Sequence, residues 1–241
     1  MYILGIDTST KHFNIAINKD EFTLTEYGLN KKELTHSAII IPAVKQVLAL
    51  AGIELTHING IAVAIGPGSF TGLRIGLATA KGLAYALSVP LADINTLSAY
   101  AWKWRKLPGI ICPTIKARKE EYYYSFYCWN NQKEQLDQLQ SFQCSYWPDI
   151  KRKMTQKGES RNFFIVGYGL SDISKDVGQN TPGKNNLYVI SEREEAPGAV
   201  AIAYLGKRKM LNKKVKDILN IEPFYIRKSA AEINRIKKVS Q

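Results

Sequence analysis

Three short runs of alternating apolar and polar residues open the chain. Apolar side chains recur within residues 3–6, 13–17 and 22–27, and polar residues that favour turns separate these runs. A period of two places successive side chains on opposite faces of a strand. The pattern therefore predicts three sequential strands in an antiparallel meander.

The period then changes to that of a helix. Residues 35–50 carry apolar side chains at the spacing of a 3.6-residue turn, and Gly52 follows as a stop. Next come an apolar run of strand length at 60–65, a second helical stretch at 70–87 and a short strand at 90–94. Because strands and helices alternate here, we expect parallel strands joined by right-handed crossovers. Meander and crossovers together predict an α/β lobe.

The second half of the chain again begins with paired strands. Its strand-like runs are residues 110–115, 122–129 and 163–166, and residues 196–205 have a helical pattern. We predict an N-terminal lobe at residues 1–105 and a smaller C-terminal lobe with a basic tail at residues 106–241. Residues 130–161 are interpreted as a polar elaboration of the second lobe, and 226–240 as a basic helix or a loose tail.

Composition agrees with a folded protein. The chain has 241 residues, of which 45% are hydrophobic, and this length accommodates either one large domain or two compact lobes. The sequence lacks a basic leader and an apolar stretch of about 18 residues, so we expect neither a signal peptide nor a membrane span. Three cysteines without a CxxC pair favour a reducing, cytoplasmic setting.

The whole chain carries a formal net charge of +12, and its positive charge is concentrated near the C-terminal end. From Val200 onward, eleven Lys or Arg face three Asp or Glu, a surplus of eight positive charges. The clusters at 207–209 and 213–216 are able to contact RNA phosphates. Solvated helix faces give the same pattern, and they are favoured because no interleaved aromatic residues accompany the clusters.

The most informative segment is the glycine-rich turn between the strand at 60–65 and the helix at 70–87. It consists of Gly66, Pro67, Gly68, Ser69, Phe70 and Thr71. Two glycines around a proline specify a tight turn, and Ser69 or Thr71 can cap the helix. Free N–H groups at such a turn can bind a phosphate. However, the turn lacks the GK[ST] ending of a P-loop and the GxGxxG spacing of a dinucleotide site, so a structural turn is favoured.

Small residues recur every four positions in the helix that follows, at Gly72, Gly76, Ala80 and Ala84. Glycine costs about 1 kcal/mol in a helix interior relative to alanine, so this stripe requires a packing reason. The pattern leaves two neighbours open: another element of the same chain, or a helix of another subunit.

These motifs resemble those of a known family, the bacterial TsaB proteins. The signature is GPGSFTGLRIG followed by AxAKGLA, and supporting matches are ILGIDTST at 3–10, THSAIIIP at 35–42, VPLADINTLSAYA at 89–101 and EPFYIRK at 222–228. The match is strong over residues 1–105 and weaker through the second lobe. It departs at Lys116, where similar proteins carry aspartate, and we interpret this lysine as a surface substitution.

The resemblance implies an α/β fold of two ribonuclease H-like lobes, in the actin, Hsp70 and sugar kinase superfamily. It also implies a non-catalytic scaffold that binds the catalytic relative TsaD through helices of the first lobe. With the ATPase TsaE, that complex transfers threonylcarbamoyl to adenosine beside the tRNA anticodon. The chain would meet tRNA through the complex, and a second copy of the chain is the alternative partner when TsaD is absent. The implied partner-binding residues are His36, Ile40, Gly72, Arg74, Gly76, Ala80 and Ala84.

We expect no metal, cofactor or catalytic site in this chain. The catalytic relatives hold a metal with two histidines four residues apart on a helix. Here Ile40 takes the second position after His36, and the other two histidines are distant in sequence. The run Asp7, Thr8, Ser9 and Thr10 resembles the first phosphate loop of the superfamily's ATPases and is interpreted as vestigial. The alternatives are a stand-alone basic RNA-binding protein and a small ATPase or kinase of the same fold.

Overall fold

The computed structural model describes residues 1–30, 36–155, 161–179, 186–190 and 198–226, without the side chains of Asn30, His36, Ser37 and Gln179. Two five-stranded sheets with packed helices make up these residues. The strands are β1 (Tyr2–Asp7), β2 (His12–Lys19), β3 (Phe22–Asn30), β4 (Gly60–Gly66), β5 (Leu91–Asn95), β6 (Ile110–Arg118), β7 (Glu121–Asn130), β8 (Gln135–Tyr146), β9 (Asn162–Tyr168) and β10 (Asn186–Ile190). The helices are α1 (His36–Ala51), α2 (Phe70–Leu87), α3 (Thr96–Lys103), α4 (Trp147–Thr155), α5 (Ser171–Gln179) and α6 (Ala199–Leu211).

The first sheet has the order β3-β2-β1-β4-β5. Strands β1, β2 and β3 pair antiparallel, whereas β4 pairs parallel with both β1 and β5. The predicted meander and crossovers are thus confirmed. Strands β3, β4 and β5 all run in the same direction, so α1 and α2, which connect them in turn, both run the opposite way. Both helices pack on one face of the sheet through a core that includes Val44, Val47 and Leu77.

The second sheet has the order β10-β9-β6-β7-β8 and includes the three strands predicted for this lobe. Four further elements, β8, α4, α5 and β10, were not predicted. Strand β8 lies at the edge of the sheet and is rich in glutamine, with most side chains partly exposed. An edge strand with polar residues lacks the apolar alternation by which strands are recognised in a sequence.

Helix α6 returns to the first sheet, which corrects the predicted boundary of the second lobe at 106–241. The helix packs across β1 and β4 on the face opposite α1 and α2. Close approach is possible because the contacting residues are small: a Cβ on Gly206 would overlap the Ala62 methyl group, and one on Gly5 would overlap the Ala199 carbonyl. None of the described helices is long and apolar enough to cross a bilayer.

Candidate functional site

The glycine-rich turn lies between two segments that are distant in sequence. On one side, Ser69 N donates a hydrogen bond of 2.7 Å to the carbonyl of Ser9. On the other, Phe224 N donates one of 2.8 Å to the carbonyl of Ile65. Gly66 has a φ of +118°, and a Cβ there would lie 2.7 Å from the Phe224 carbonyl oxygen. The turn therefore joins the loop after β1 to residues 217–226, which we call the C-terminal strap.

The turn also begins α2. Ser69 caps the helix, since its Oγ accepts a hydrogen bond of 3.2 Å from Gly72 N. This confirms one of the two predicted caps, whereas Thr71 is exposed in the first turn. Gly68 has no room for a side chain, because a Cβ would overlap the Ser9 carbonyl. The helix start is thus held against the loop after β1.

That loop, which holds the residues likened to a phosphate loop, is sealed. Asp7, Thr8, Ser9 and Thr10 are at most 3% exposed. Ser9 N donates to Asp7 Oδ1 at 2.9 Å, but Asp7 Oδ2, Thr8 Oγ1 and Ser9 Oγ have no partner among the described residues. Burial raises the pKa of the Asp7 carboxyl to about 6, against the opposing effect of its hydrogen bonds to Ser9.

The fold family implies a nucleotide at this loop, and the residues present do not fit one. The space above Thr8 is taken by Gly76 of α2, which packs directly on its hydroxyl, and Gly68 covers Ser9. From the second lobe, the ring of Tyr168 lies 6.1 Å from that of His12, beside the loop. A nucleotide phosphate needs donors that it can reach. The chain instead fills this position with its own helix and turn.

The sparse stripe of α2 faces the chain's own core, which corrects its prediction as a partner-binding face. Gly72, Gly76, Ala80 and Ala84 are all buried. Gly76 lies against Thr8, and the two alanines pack with the core beneath α1 and α2. Ile40 is buried in the same core and is corrected likewise. These residues are small because α2 must approach the sheet and the β1 loop closely.

Two other residues that were predicted to bind a partner, His36 and Arg74, are not members of the buried stripe. His36 begins α1, but its side chain lies outside the described residues. Arg74 lies on the exposed side of α2. Its role in partner binding remains a prediction.

The exposed side of α2 carries a second stripe with the same interval, which the sequence analysis missed. Its members are Ala78, Gly82 and Ala86, and a Cβ on Gly82 would meet nothing within 4 Å. Beside them, Tyr85 is 79% exposed. Two large apolar residues of α1, Ile41 and Leu50, are also exposed. We call these six residues the outer face of α1 and α2. Ile41 and Leu50 lie outside the helical apolar pattern of α1, a signal that could have located them.

The C-terminal strap runs alongside this outer face. Lys81 Nζ donates to the carbonyl of Leu219 at 3.1 Å, and Arg74 Nε donates to Tyr225 Oη at 3.1 Å. Between α2 and the strap lies a groove of about 470 Å³ that Ala78 and Pro223 help to line. No local pattern in the sequence predicts this contact, because Arg74 and Tyr225 are 151 positions apart.

Three of the five lysines in the described part of the basic tail form ion pairs within the chain. Lys207 pairs with Glu21 at 2.8 Å, and both Lys209 and Lys216 pair with the buried carboxylate of Asp93. These ion pairs tie α6 and the segment after it to the first sheet. Within the described residues they engage part of the charge that RNA phosphates would contact, whereas Lys213 and Lys214 are exposed.

No catalytic constellation appears in the described residues. Within them, no group of three or more His, Cys, Asp or Glu could hold a metal ion. Burial raises the pKa of the Cys112 thiol to about 12, which keeps it protonated and unreactive. Lys116 is partly exposed and pairs with Asp172 at 2.5 Å, in keeping with a surface substitution.

The chain is similar to known proteins both in sequence and in structure. The family model described as TsaD, tRNA N6-adenosine threonylcarbamoyltransferase, matches residues 30–235. The tRNA threonylcarbamoyladenosine biosynthesis protein TsaB of Bacillus subtilis is 29% identical over 238 residues, which cover 98% of this chain and 99% of that protein. TsaB of Buchnera aphidicola subsp. Schizaphis graminum is 32% identical over 195 residues, or 77% of this chain and 87% of that protein.

A solved structure supports the fold. YeaZ from Pseudomonas aeruginosa superimposes with a TM-score of 0.74 at 22% identity, over 93% of this chain and 99% of that chain. Together with the strand orders of the two sheets, this likeness confirms the predicted α/β fold of two ribonuclease H-like lobes.

Proposed function

We propose a function from one premise: this chain belongs to the TsaB family of tRNA threonylcarbamoyladenosine biosynthesis proteins, a membership that the TsaD family model and the TsaB relatives show. The chain takes part in that biosynthesis as a non-catalytic scaffold. It binds TsaD through the outer face of α1 and α2 and activates it. TsaE joins the same cytoplasmic complex, and tRNA meets the chain through it.

The proposal rests on the exposure of large apolar side chains on the outer face of α1 and α2. Tyr85 and Leu50 expose 79% and 65% of their surface, although each lies on a helix with a well-packed inner side. The small residues Ala78 and Gly82 lie on the exposed side of α2, the helix that carries Tyr85, and would let a partner helix approach closely. Large exposed apolar side chains on neighbouring helices are typical of surfaces that bind other proteins. Because α1 and α2 run in the same direction, Leu50 and Tyr85 lie at the same end of this surface.

The sealed loop supports a role without catalysis. Asp7 and the three hydroxyl residues after it are covered by the chain's own α2 and turn, so they are not positioned to bind the phosphates of a substrate. The chain's contribution to the reaction then comes through its contact with TsaD. We expect the purified chain to hydrolyse no ATP.

The test is the association of purified TsaD with single variants of this chain, measured by titration calorimetry. Leu50→Ala and Tyr85→Ala should each weaken binding at least about tenfold, because large anchor side chains that a partner covers contribute about 2 kcal/mol or more. Leu211→Ala is the matched control, since Leu211 is 64% exposed and also lies in the last turn of its helix, on α6. It should bind as the parent does.

Threonylcarbamoyladenosine formation in a reconstituted reaction should fall in parallel with binding and recover at high concentrations of the variant. Unchanged binding by both Leu50→Ala and Tyr85→Ala would contradict the proposed surface. Binding that persists together with a loss of modification activity would contradict a purely scaffolding role.

A further inference from the structure

A guanidinium group fixed from two sides lies where the strap meets α2. The Arg74 guanidinium carbon lies 3.8 Å from the centre of the Phe70 ring, and Arg74 Nε donates to Tyr225 Oη at 3.1 Å. The rings of Phe70 and Tyr225 are themselves stacked, with centres 5.5 Å apart. These three residues, which we call the arginine clamp, come from the first two turns of α2 and from the strap.

The clamp restricts a side chain that would otherwise be mobile. An exposed arginine loses much rotamer entropy when it binds a partner. Here, stacking and the bond through Nε hold the plane of the guanidinium before any partner arrives. Among the described residues, no carboxylate forms an ion pair with Arg74. A planar guanidinium with a fixed orientation is suited to bidentate hydrogen bonding with a carboxylate or a phosphate.

The surroundings of the clamp favour a carboxylate from a protein. The groove beside Arg74 is lined by Leu77, Ala78 and Pro223, and Leu219 of the strap is 79% exposed. Arg74 and Lys81 both line the groove, but Lys81 Nζ already donates to the Leu219 carbonyl, so the guanidinium and the apolar contacts around it match an apolar helix that carries an acidic side chain. An RNA backbone would instead require several phosphate-binding cations along one surface. The acidic Glu222 in the same groove also disfavours a polyanion.

We propose that Arg74 receives a carboxylate of the TsaD helix that docks on the outer face, and that Tyr225 positions it. The inference rests on the proposed function and extends it: the C-terminal strap becomes the second wall of the docking surface. Arg74 is then a residue that selects the partner, whereas Tyr225 acts through Arg74.

The test is the affinity for TsaD as a function of NaCl concentration. Arg74→Ala should weaken binding about tenfold to a hundredfold, as expected for a charged hydrogen bond, and should flatten the dependence on salt. Tyr225→Phe keeps the ring and removes the hydroxyl, so it should weaken binding by about threefold to tenfold. Arg152→Ala, an exposed arginine on α4 of the second lobe, is the matched control and should bind as the parent does.

The outcomes separate this inference from the proposed function. If Leu50→Ala loses binding while Arg74→Ala keeps the parent's affinity and salt dependence, the docking surface stands and the clamp is refuted. If both variants bind as the parent does, the proposed surface fails as well. If Arg74→Ala binds TsaD normally but weakens tRNA binding by the assembled complex, the anion is an RNA phosphate, and the inference is overturned. Thermal melting of each variant excludes unfolding as the cause.

Discussion

Two glycines of α2 that are six positions apart should respond in opposite directions to the same substitution. At Gly82, an added Cβ meets nothing within 4 Å, so Gly82→Ala gains only the helix preference of alanine. That preference is about 1 kcal/mol in the free energy of unfolding. For a protein of this size it corresponds to a rise in Tm of about 2–4 °C.

At Gly76 the same methyl group enters a filled space. It would overlap Thr8 Oγ1 and lie 3.3 Å from both Thr8 Cβ and Thr8 Cγ2. Thr8 is fully buried at the end of β1, so it cannot swing away. Overpacking of this kind costs about 1–3 kcal/mol, which outweighs the helix preference. Gly76→Ala should therefore lower the free energy of unfolding by about 1 kcal/mol net, roughly 2 kcal/mol below Gly82→Ala.

Urea titration followed by circular dichroism measures both variants, and an unchanged m-value shows that stability alone has changed. Thr8→Ala removes the atoms that Gly76→Ala would strike, so the two substitutions should be strongly non-additive, with the cost at position 76 largely relieved in the double variant. A Gly76→Ala protein as stable as Gly82→Ala would refute the close packing of α2 on the β1 loop. The inner stripe of α2 would then again be a candidate surface for binding a partner.

Three further substitutions test the rest of the site. Gly66→Ala should cost about 3 kcal/mol or more in urea titration, because φ is +118° and the new Cβ would press on the Phe224 backbone. The folded-state pKa of Asp7, about 6, lies above its usual 3.8, so between these values the folded state binds more protons. As pH falls from 7 to 4, the free energy of unfolding of the parent protein should therefore rise by up to about 3 kcal/mol relative to that of Asp7→Asn. An equal pH dependence of the two proteins would contradict the raised pKa of the buried Asp7 carboxyl. Asp93→Ala leaves Lys209 without its partner and should lower the free energy of unfolding by about 2 kcal/mol, whereas a neutral effect would show that the ion pair is dispensable.

The fold of the first lobe could be predicted because each of its elements carries a clear period. Strands β1 to β4 and helices α1 and α2 all lie within a few residues of the predicted bounds. The second lobe was harder, since β8 is an edge strand whose polar residues face water and resemble a loop. The return of α6 to the first sheet depends on contacts with residues about 140–200 positions earlier, which no local pattern encodes.

The inner stripe of α2 was predicted to meet a partner but packs in the chain's own core, and the error has a physical reason. Glycine and alanine carry almost no burial signal, so two stripes of period four on one helix cannot be ranked by their small residues alone. The large residues beside them decide the matter. Leu73 and Leu77 flank the inner stripe and are buried, whereas Tyr85 flanks the outer one and is exposed. A preference for leucine over tyrosine in the core would have placed the stripes correctly.

The sealed loop and the exposed outer face both follow from the packing of α2 on the loop after β1. Filling the space above Thr8 with Gly76 commits the inner stripe of α2 to the chain's own core. On α2, the exposed side is then the side that a partner could contact. The same contact, with the strap bound to the turn through Phe224, fixes the start of α2 at both sides. A helix held in this way can present Arg74 and Tyr85 with little entropy left to lose on binding. The packing that fills the phosphate site would thus also give the proposed docking helix its rigidity.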